Sequence, residues 1–176
     1  MEFRDLKANE IDCRISQVKE NYLDLLLYKD ARVDQNILDE TVGNMSWQRD
    51  HKELKGNIYC GISIYDDERK IWITKWDCGK ESFAEAEKGE SSDSFKRAGF
   101  NWGIGRELYT SPQIRVWLKD KEGNQNYTPF KKDNGKLTTY TEFNVEAIQI
   151  INKEITGLAI KNDKGKRVFV YKKVGV

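Results

Sequence analysis

The sequence has one histidine, three cysteines and two prolines in 176 residues, and its 30 Lys plus Arg against 29 Asp plus Glu leave a net charge of +1. With His51 alone, metal sites built on histidine pairs are excluded, and any Ser-His-Asp or Cys-His arrangement rests on a residue in an exposed strand or turn. Cys13, Cys60 and Cys78 are odd in number, widely spaced and form no C-x-x-C, which argues against a disulfide framework or zinc knuckle and for reduced structural thiols. No run approaches the ~20 apolar residues of a membrane-crossing helix. Met1-Glu2-Phe3-Arg4-Asp5 has neither the basic start nor the apolar block of a secretory signal, so the chain is expected to stay in the cytoplasm where it is made. No G-x-x-x-x-G-K-[ST] occurs, and Gly103-Ile104-Gly105 meets Leu108 where a dinucleotide fingerprint needs a third glycine, so neither ATP chemistry nor any other cofactor is indicated. A net charge this small exerts little long-range pull on a polyanion, and a nucleic-acid function would have to come from local clusters.

What is present suffices for a core: 38% hydrophobic and 34% charged residues suit one compact domain spanning residues 1–176. Asp12 to Val18 alternates polar and apolar residues and Tyr22 to Tyr28 is a short apolar run, which predicts two strands joined by a turn. Beyond Lys29, Val33, Ile37, Leu38 and Val42 share a helical face that Gly43-Asn44 closes. Trp47 to Lys55, Asn57 to Tyr65 and Lys70 to Trp76 read as an antiparallel meander, with Asp66-Asp67-Glu68-Arg69 as its second turn. After a polar, acidic connector from Gly79 to Gly89, Ser91-Ser92-Asp93 offers N-cap chemistry for a long helix with Phe95, Ala98, Trp102 and Tyr109 on one face. Gly99, Gly103 and Gly105 there mark close packing, a kink or an early end. A short strand at Ile114 to Leu118 precedes an exposed excursion over Lys119 to Lys136, and the tail adds strands at Phe143 to Ile151, Ile155 to Lys161 and Arg167 to Tyr171. The fold class is α+β: an antiparallel meander packed on a long helix, with an N-terminal strand pair and helix and extra C-terminal strands.

Three groups of residues invite chemistry. Asp66, Asp67 and Glu68 supply the oxygens a Mg²⁺-dependent nuclease would use, or are the solvated tip of a hairpin. Trp47, Trp72, Trp76, Trp102 and Trp117 fit core positions on strands and helix, with base stacking as the lesser role. Lys96 and Arg97 stand just inside the expected helix start, where the dipole disfavours cations unless an anion uses both; they are a phosphate site or a solvated basic face.

Ser92-Asp93-Ser94-Phe95-Lys96-Arg97-Ala98, followed by Trp102-Gly103-Ile104-Gly105-Arg106-Glu107-Leu108-Tyr109, resembles the long-helix motif of the Rad-fifty-two (Rad52) family of single-strand annealing proteins, particularly its phage-borne members. Tyr28 to Val33, Leu38 to Gly43 and Trp47 resemble that family's first helix and the entry to its meander, so the likeness runs from about Asp12 to Tyr109 and leaves a β extension over about 112–174. The resemblance implies a β-β-β-α core, rings or open helical oligomers, and single-stranded DNA in a basic groove across subunits, with no nucleotide hydrolysis. It carries contact with the DNA backbone onto Lys96 and Arg97, and adds Arg32 and Arg106. Phe100 replaces a basic residue of eukaryotic members, which removes part of the groove's charge.

On this basis the expected function is ATP-independent binding and annealing of complementary single strands in recombination and repair, by a homo-oligomer of phage or prophage type in a bacterial cytoplasm. Single-stranded DNA and further copies of the chain are the expected partners, with a single-strand binding protein or phage exonuclease as protein partner and no membrane. No counterpart of the long C-terminal extension of eukaryotic relatives is expected, nor its recombinase-loading role. Lys161, Lys164, Lys166, Arg167, Lys172 and Lys173 make the tail basic, as an auxiliary DNA surface or as a strand edge protected by lysines. The alternatives are a metal-dependent nuclease or end-processing enzyme using Asp66, Asp67 and Glu68, and a DNA-protection scaffold that binds without annealing.

Overall fold

The computed structural model describes residues 1–79 and 86–175, and its contacts divide the chain into two compact units. The first comprises Met1–Asp5 and Asp30–Gly105, the second Leu6–Lys29 and Arg106–Val176. The fold is α+β, and the strand pairings within its sheets are antiparallel.

In the first unit the chain runs through helix α1 (Ala31–Val42), strands β3 (Trp47–Leu54), β4 (Asn57–Asp66) and β5 (Ile71–Cys78), and helix α2 (Ala86–Trp102). The strands form a sheet ordered β3-β4-β5, and α2 packs against β4 and β5. Period-two alternation explains the sidedness: Cys60, Ile62 and Ile64 are buried on β4, and Phe95 and Ala98 on α2 have no exposed surface. Burying a side chain such as Phe95 stabilises the unit by roughly 1.5–3 kcal/mol. Polar bonds fix the register of helix on sheet, because Trp102 Nε1 donates to the Ile62 carbonyl at 2.9 Å and Glu90 Oε1 accepts from the Ile58 N–H at 2.8 Å. On the opposite face Gly61 lies beneath the Trp76 ring, where a Cβ would come within 2.6 Å of the indole.

The expected helix start is corrected. Helix α2 is already formed at Ala86, while residues 80–85 of the expected polar connector lie outside the described residues. Ser91 and Ser94 are interior to the helix and their hydroxyls find other partners: Ser94 Oγ donates to the Ser91 carbonyl at 2.9 Å, and Ser91 Oγ lies 3.3 Å from His51 Nε2 on β3. The other end is corrected too. The helix stops at Trp102, Gly103 turns with φ of +103°, and Tyr109 belongs to a separate 3-10 helix with 71% of its surface exposed.

The second unit is built on a six-stranded sheet. To β1 (Asp12–Val18) and β2 (Tyr22–Tyr28) it adds β6 (Ile114–Trp117), β9 (Phe143–Ile151), β10 (Glu154–Asn162) and β11 (Arg167–Lys172), ordered β11-β10-β9-β1-β2-β6. The N-terminal strand pair therefore shares one sheet with the C-terminal strands, with the single pair Asp12 and Asn144 joining β1 to β9. The 119–136 excursion is more ordered than expected. Asp120 accepts from the Glu122 and Asn124 N–H groups, Tyr127 is 3% exposed, and β7 (Pro129–Lys131) pairs with β8 (Leu137–Thr139).

The tryptophans differ from expectation as well. None is fully buried, and Trp72 and Trp117 expose 43% and 56% of their surface. The cysteines are free thiols, buried at Cys60 and half-buried at Cys13 and Cys78.

Candidate nucleic-acid interface

Local chemistry at the start of α1 positions the first cation. Asp30 caps the helix, accepting from the Arg32 N–H at 2.8 Å, and the same carboxylate takes the Arg32 side chain through Nε at 2.9 Å and Nη2 at 3.3 Å. The Arg32 guanidinium and then its N–H hold the Asp30 carboxyl below its usual range, and Lys96 acts on it in the same direction. Lys96 on α2 is thus near enough to Asp30 for its charge to be felt.

The reason is the close approach of the two helices. A Cβ at Gly99 would stand 2.9 Å from Asp34 Oδ1, so the absent side chain lets α1 lie against α2. Lys96 and Gly99 are about one turn apart on α2, as Asp30 and Asp34 are on α1, so where Gly99 meets Asp34 the charge of Lys96 reaches Asp30.

Arg97, the next residue, turns to the sheet. Its Nε donates to Asp77 Oδ1 on β5 at 3.3 Å, while Asn101 Nδ2 donates to Asp77 Oδ2 at 3.3 Å and to the Trp76 carbonyl at 3.0 Å. Lys75 completes this side: its ammonium donates to the Asn101 carbonyl at 3.0 Å and lies 4.3 Å from the Trp102 ring centroid, a cation at the negative end of α2. Arg32 and Lys96 therefore both act on Asp30 at the start of α1, while Arg97 faces Asp77 on β5; all three belong to the first unit. Arg106 is exposed at the start of the 3-10 helix Arg106–Thr110 and belongs to the second unit.

The dipole of α2 does not reach Lys96. Lys96 lies about three turns beyond Ala86, and the terminal dipole fades within one turn. What the cations offer an anion is their own charge.

Sequence reasoning passed over a second group of cations. On the β1–β2–β6 part of the second unit, Arg14 stacks over Tyr28 at 3.4 Å and Arg115 over Tyr22 at 3.8 Å, with Trp117 edge-on to Tyr22 at 5.7 Å. Asp24 takes Arg115 through two bonds of 2.9 and 3.2 Å, and that pairing holds its carboxyl below the usual range. The signal was the alternation Tyr22, Asp24, Leu26, Tyr28, which puts these four on one face of β2.

The remaining candidates are explained by local structure. Asp66 Oδ1 accepts from the Glu68 and Arg69 N–H groups at 3.0 Å each, and Asp67 faces Lys70 at 3.8 Å. Among the described residues no three His, Cys, Asp or Glu side chains converge in a way that would hold a metal ion. His51 meets Ser91, but Asp50 accepts the His51 backbone N–H at 2.9 Å. Three of the tail cations are in ion pairs, Lys166 with Asp120, Arg167 with Glu146 and Lys173 with Glu154. No described helix is long and apolar enough to cross a membrane.

A family model described as Rad52/22 family double-strand break repair protein matches residues 4–127. The chain belongs to this family. The Rad52/22 match takes in α1, the meander, α2 and every candidate cation named above except those of the tail. Searches of curated proteins and of solved structures each gave no match.

Proposed function

We propose that this chain is an ATP-independent single-strand annealing protein that acts without a chemical step. The β3–β4–β5 sheet with α2 serves as the β-β-β-α core of the family, and the whole chain works as one DNA-binding and assembly domain. Lys96, Arg97 and Arg32 grip the sugar-phosphate backbone, with Arg106 as a further contact. The observation that supports the reading is that Arg32 and Lys96 act on one carboxylate, Asp30, while Arg97, next to Lys96 on α2, is paired with Asp77 on β5, all within the stretch the Rad52/22 family model matches.

Phosphate contacts position a strand without reading it, so bases held this way stay free to sample a complementary strand. Two or three cations per subunit bind weakly, and a homo-oligomer, ring or filament, repeats them along one strand and converts weak contacts into avidity. A phage or prophage setting, with a single-strand binding protein or exonuclease as partner, fits this reading.

The test is annealing of two complementary labelled oligonucleotides in EDTA. The wild-type chain accelerates duplex formation without cleavage, and Lys96→Ala/Arg97→Ala does not, although it assembles to the same size. Wild-type annealing by the double variant would remove these residues from the interface, and cleavage that requires Mg²⁺ would replace the reading with a nuclease.

A further inference from the structure

The cations proposed to hold DNA sit beside carboxylates, and the two carboxylates are used differently. Asp30 takes Arg32 through both Nε and Nη2, an edge of the guanidinium fork. Asp77 takes Arg97 through Nε, at the neck of the guanidinium. Asp77 is itself held from two other directions: Oδ1 accepts the Cys78 N–H at 2.7 Å, and Oδ2 accepts Asn101 Nδ2 at 3.3 Å. Asn101 stands one turn after Arg97 on α2 and is tied by the same amide to the Trp76 carbonyl at 3.0 Å. The carboxylate is thus fixed to β5 by its backbone and to α2 by an amide, with Arg97 as a third donor. The Arg97 and Asp77 side chains expose 38% and 25% of their surface, so the pair is only partly screened.

We propose that Asp77 is a positioning residue for Arg97, holding the guanidinium by its neck in the orientation in which its fork meets a phosphate of single-stranded DNA. The inference rests on the reading of Arg97 as a backbone contact and deepens it. Coulomb's law alone makes a carboxylate unwelcome in a site for a polyanion. Planar, two-bond recognition of phosphate depends on the orientation of the fork, and an arginine ordered in advance loses less rotamer freedom when DNA docks. Both outside groups that meet the Asp77 side chain, Arg97 Nε and Asn101 Nδ2, are donors. An asparagine at this position keeps one oxygen for Arg97 Nε and the Cys78 N–H, but it loses the charge that strengthens those bonds and sets its own N–H₂ against Asn101 Nδ2, so Asp77→Asn keeps the shape and weakens the grip.

The two effects have opposite signs, which makes the test decisive. Binding of labelled oligo(dT) to the full chain is measured by fluorescence anisotropy at several KCl concentrations, with far-UV circular dichroism as a fold check. Asp77→Asn is expected to bind about 2- to 10-fold more weakly than wild type despite its added positive charge. It is expected to change nothing further in an Arg97→Ala background, a coupling that a merely structural role would not produce. Asp77→Glu, which keeps the acceptor one methylene further out, is expected to recover part of the loss. Equal or tighter binding by Asp77→Asn, or an undiminished loss in the Arg97→Ala background, overturns the proposal. If Asp77→Asn loses its folded spectrum, Asn101→Ala, which releases the carboxylate from the helix side only, is judged by the same criteria. A wild-type chain that ignores oligo(dT) at low salt, or an Arg97→Ala chain that binds like wild type, overturns the reading of Arg97 together with this inference. A binding-deficient Arg97→Ala beside a tighter Asp77→Asn overturns the inference alone.

Discussion

Lys96 and Arg97 are neighbours in sequence and yet answer to different surroundings, the first to the capped start of α1 and the second to a carboxylate on β5. That divergence follows from the 100° step between successive helical residues, which lets one dipeptide face two elements. The same attention to surroundings explains the thiols. Burial pushes Cys13 up to about 12 and Cys60 up to about 11, and Cys60 has no exposed surface. The nucleophile is the thiolate, so at pH 8 both should resist a thiol-specific reagent in the folded chain and react after denaturation. Timed mass spectrometry of alkylation at each position checks this, and fast folded-state labelling of Cys60 would contradict the packing of β4 against α2. At this scale the sequence was legible where a residue's role is set by its own type. Lys96 and Arg97 stand out as adjacent cations between the core residues Phe95 and Ala98. Asp77 did not stand out, because its role comes from Asn101 and Arg97, brought to it across 24 and 20 positions of chain by the packing of α2 on β5.

Among the elements, the meander was the most legible. Its β-branched and aromatic alternation and its polar turn place β3, β4 and β5 within about two residues of their observed bounds, the ordinary uncertainty of element ends. Helix α2 was less legible at both ends, since serines that serve as caps in one setting are satisfied inside a helix in another, and Gly103 ends the helix before the apolar spacing stops. Gly61 gives the element scale its sharpest prediction. A methyl group there must displace the Trp76 ring, and overpacking of this kind costs about 1–3 kcal/mol, so Gly61→Ala should lower the urea midpoint while leaving the secondary structure intact. An unchanged midpoint would mean that the ring yields freely. The excursion after β6 offers a second prediction. Lys166, bonded to Asp120 at 2.7 Å, is the chief cause that holds its carboxyl down to about 2. A carboxyl depressed in the folded chain contributes stability above its unfolded value near ~3.9, and the contribution disappears as the pH falls through the folded value. Wild type should therefore lose thermal stability relative to Asp120→Asn between about pH 4 and pH 2, with parallel melting temperatures above that window.

At the scale of the molecule, the proposed function asks a chain of net charge +1 to hold a polyanion by concentrating its cations and repeating them from copy to copy. The order of elements was legible from hydrophobic period and turn chemistry. The joining of β1 and β2 to the C-terminal strands in one sheet was not, because pairing partners more than a hundred residues apart leave no local mark in the sequence. Assembly has a measurable consequence: if subunits present the cluster along one strand, oligo(dT) affinity should rise steeply with oligonucleotide length until the strand spans neighbouring subunits, then level off. Light scattering with and without the oligonucleotide gives the size of the assembly in the same experiment.

The most direct measurement is the salt dependence of oligo(dT) binding by wild type and by Lys96→Ala/Arg97→Ala. Each phosphate neutralised on a single strand contributes ~0.7 to the slope of log affinity against log salt. Wild type should show a steep negative slope, and the double variant should bind far more weakly with a slope reduced by about 1.4 for each subunit engaged. Identical affinities and slopes for the two proteins, or no binding by wild type at low ionic strength, would contradict the account.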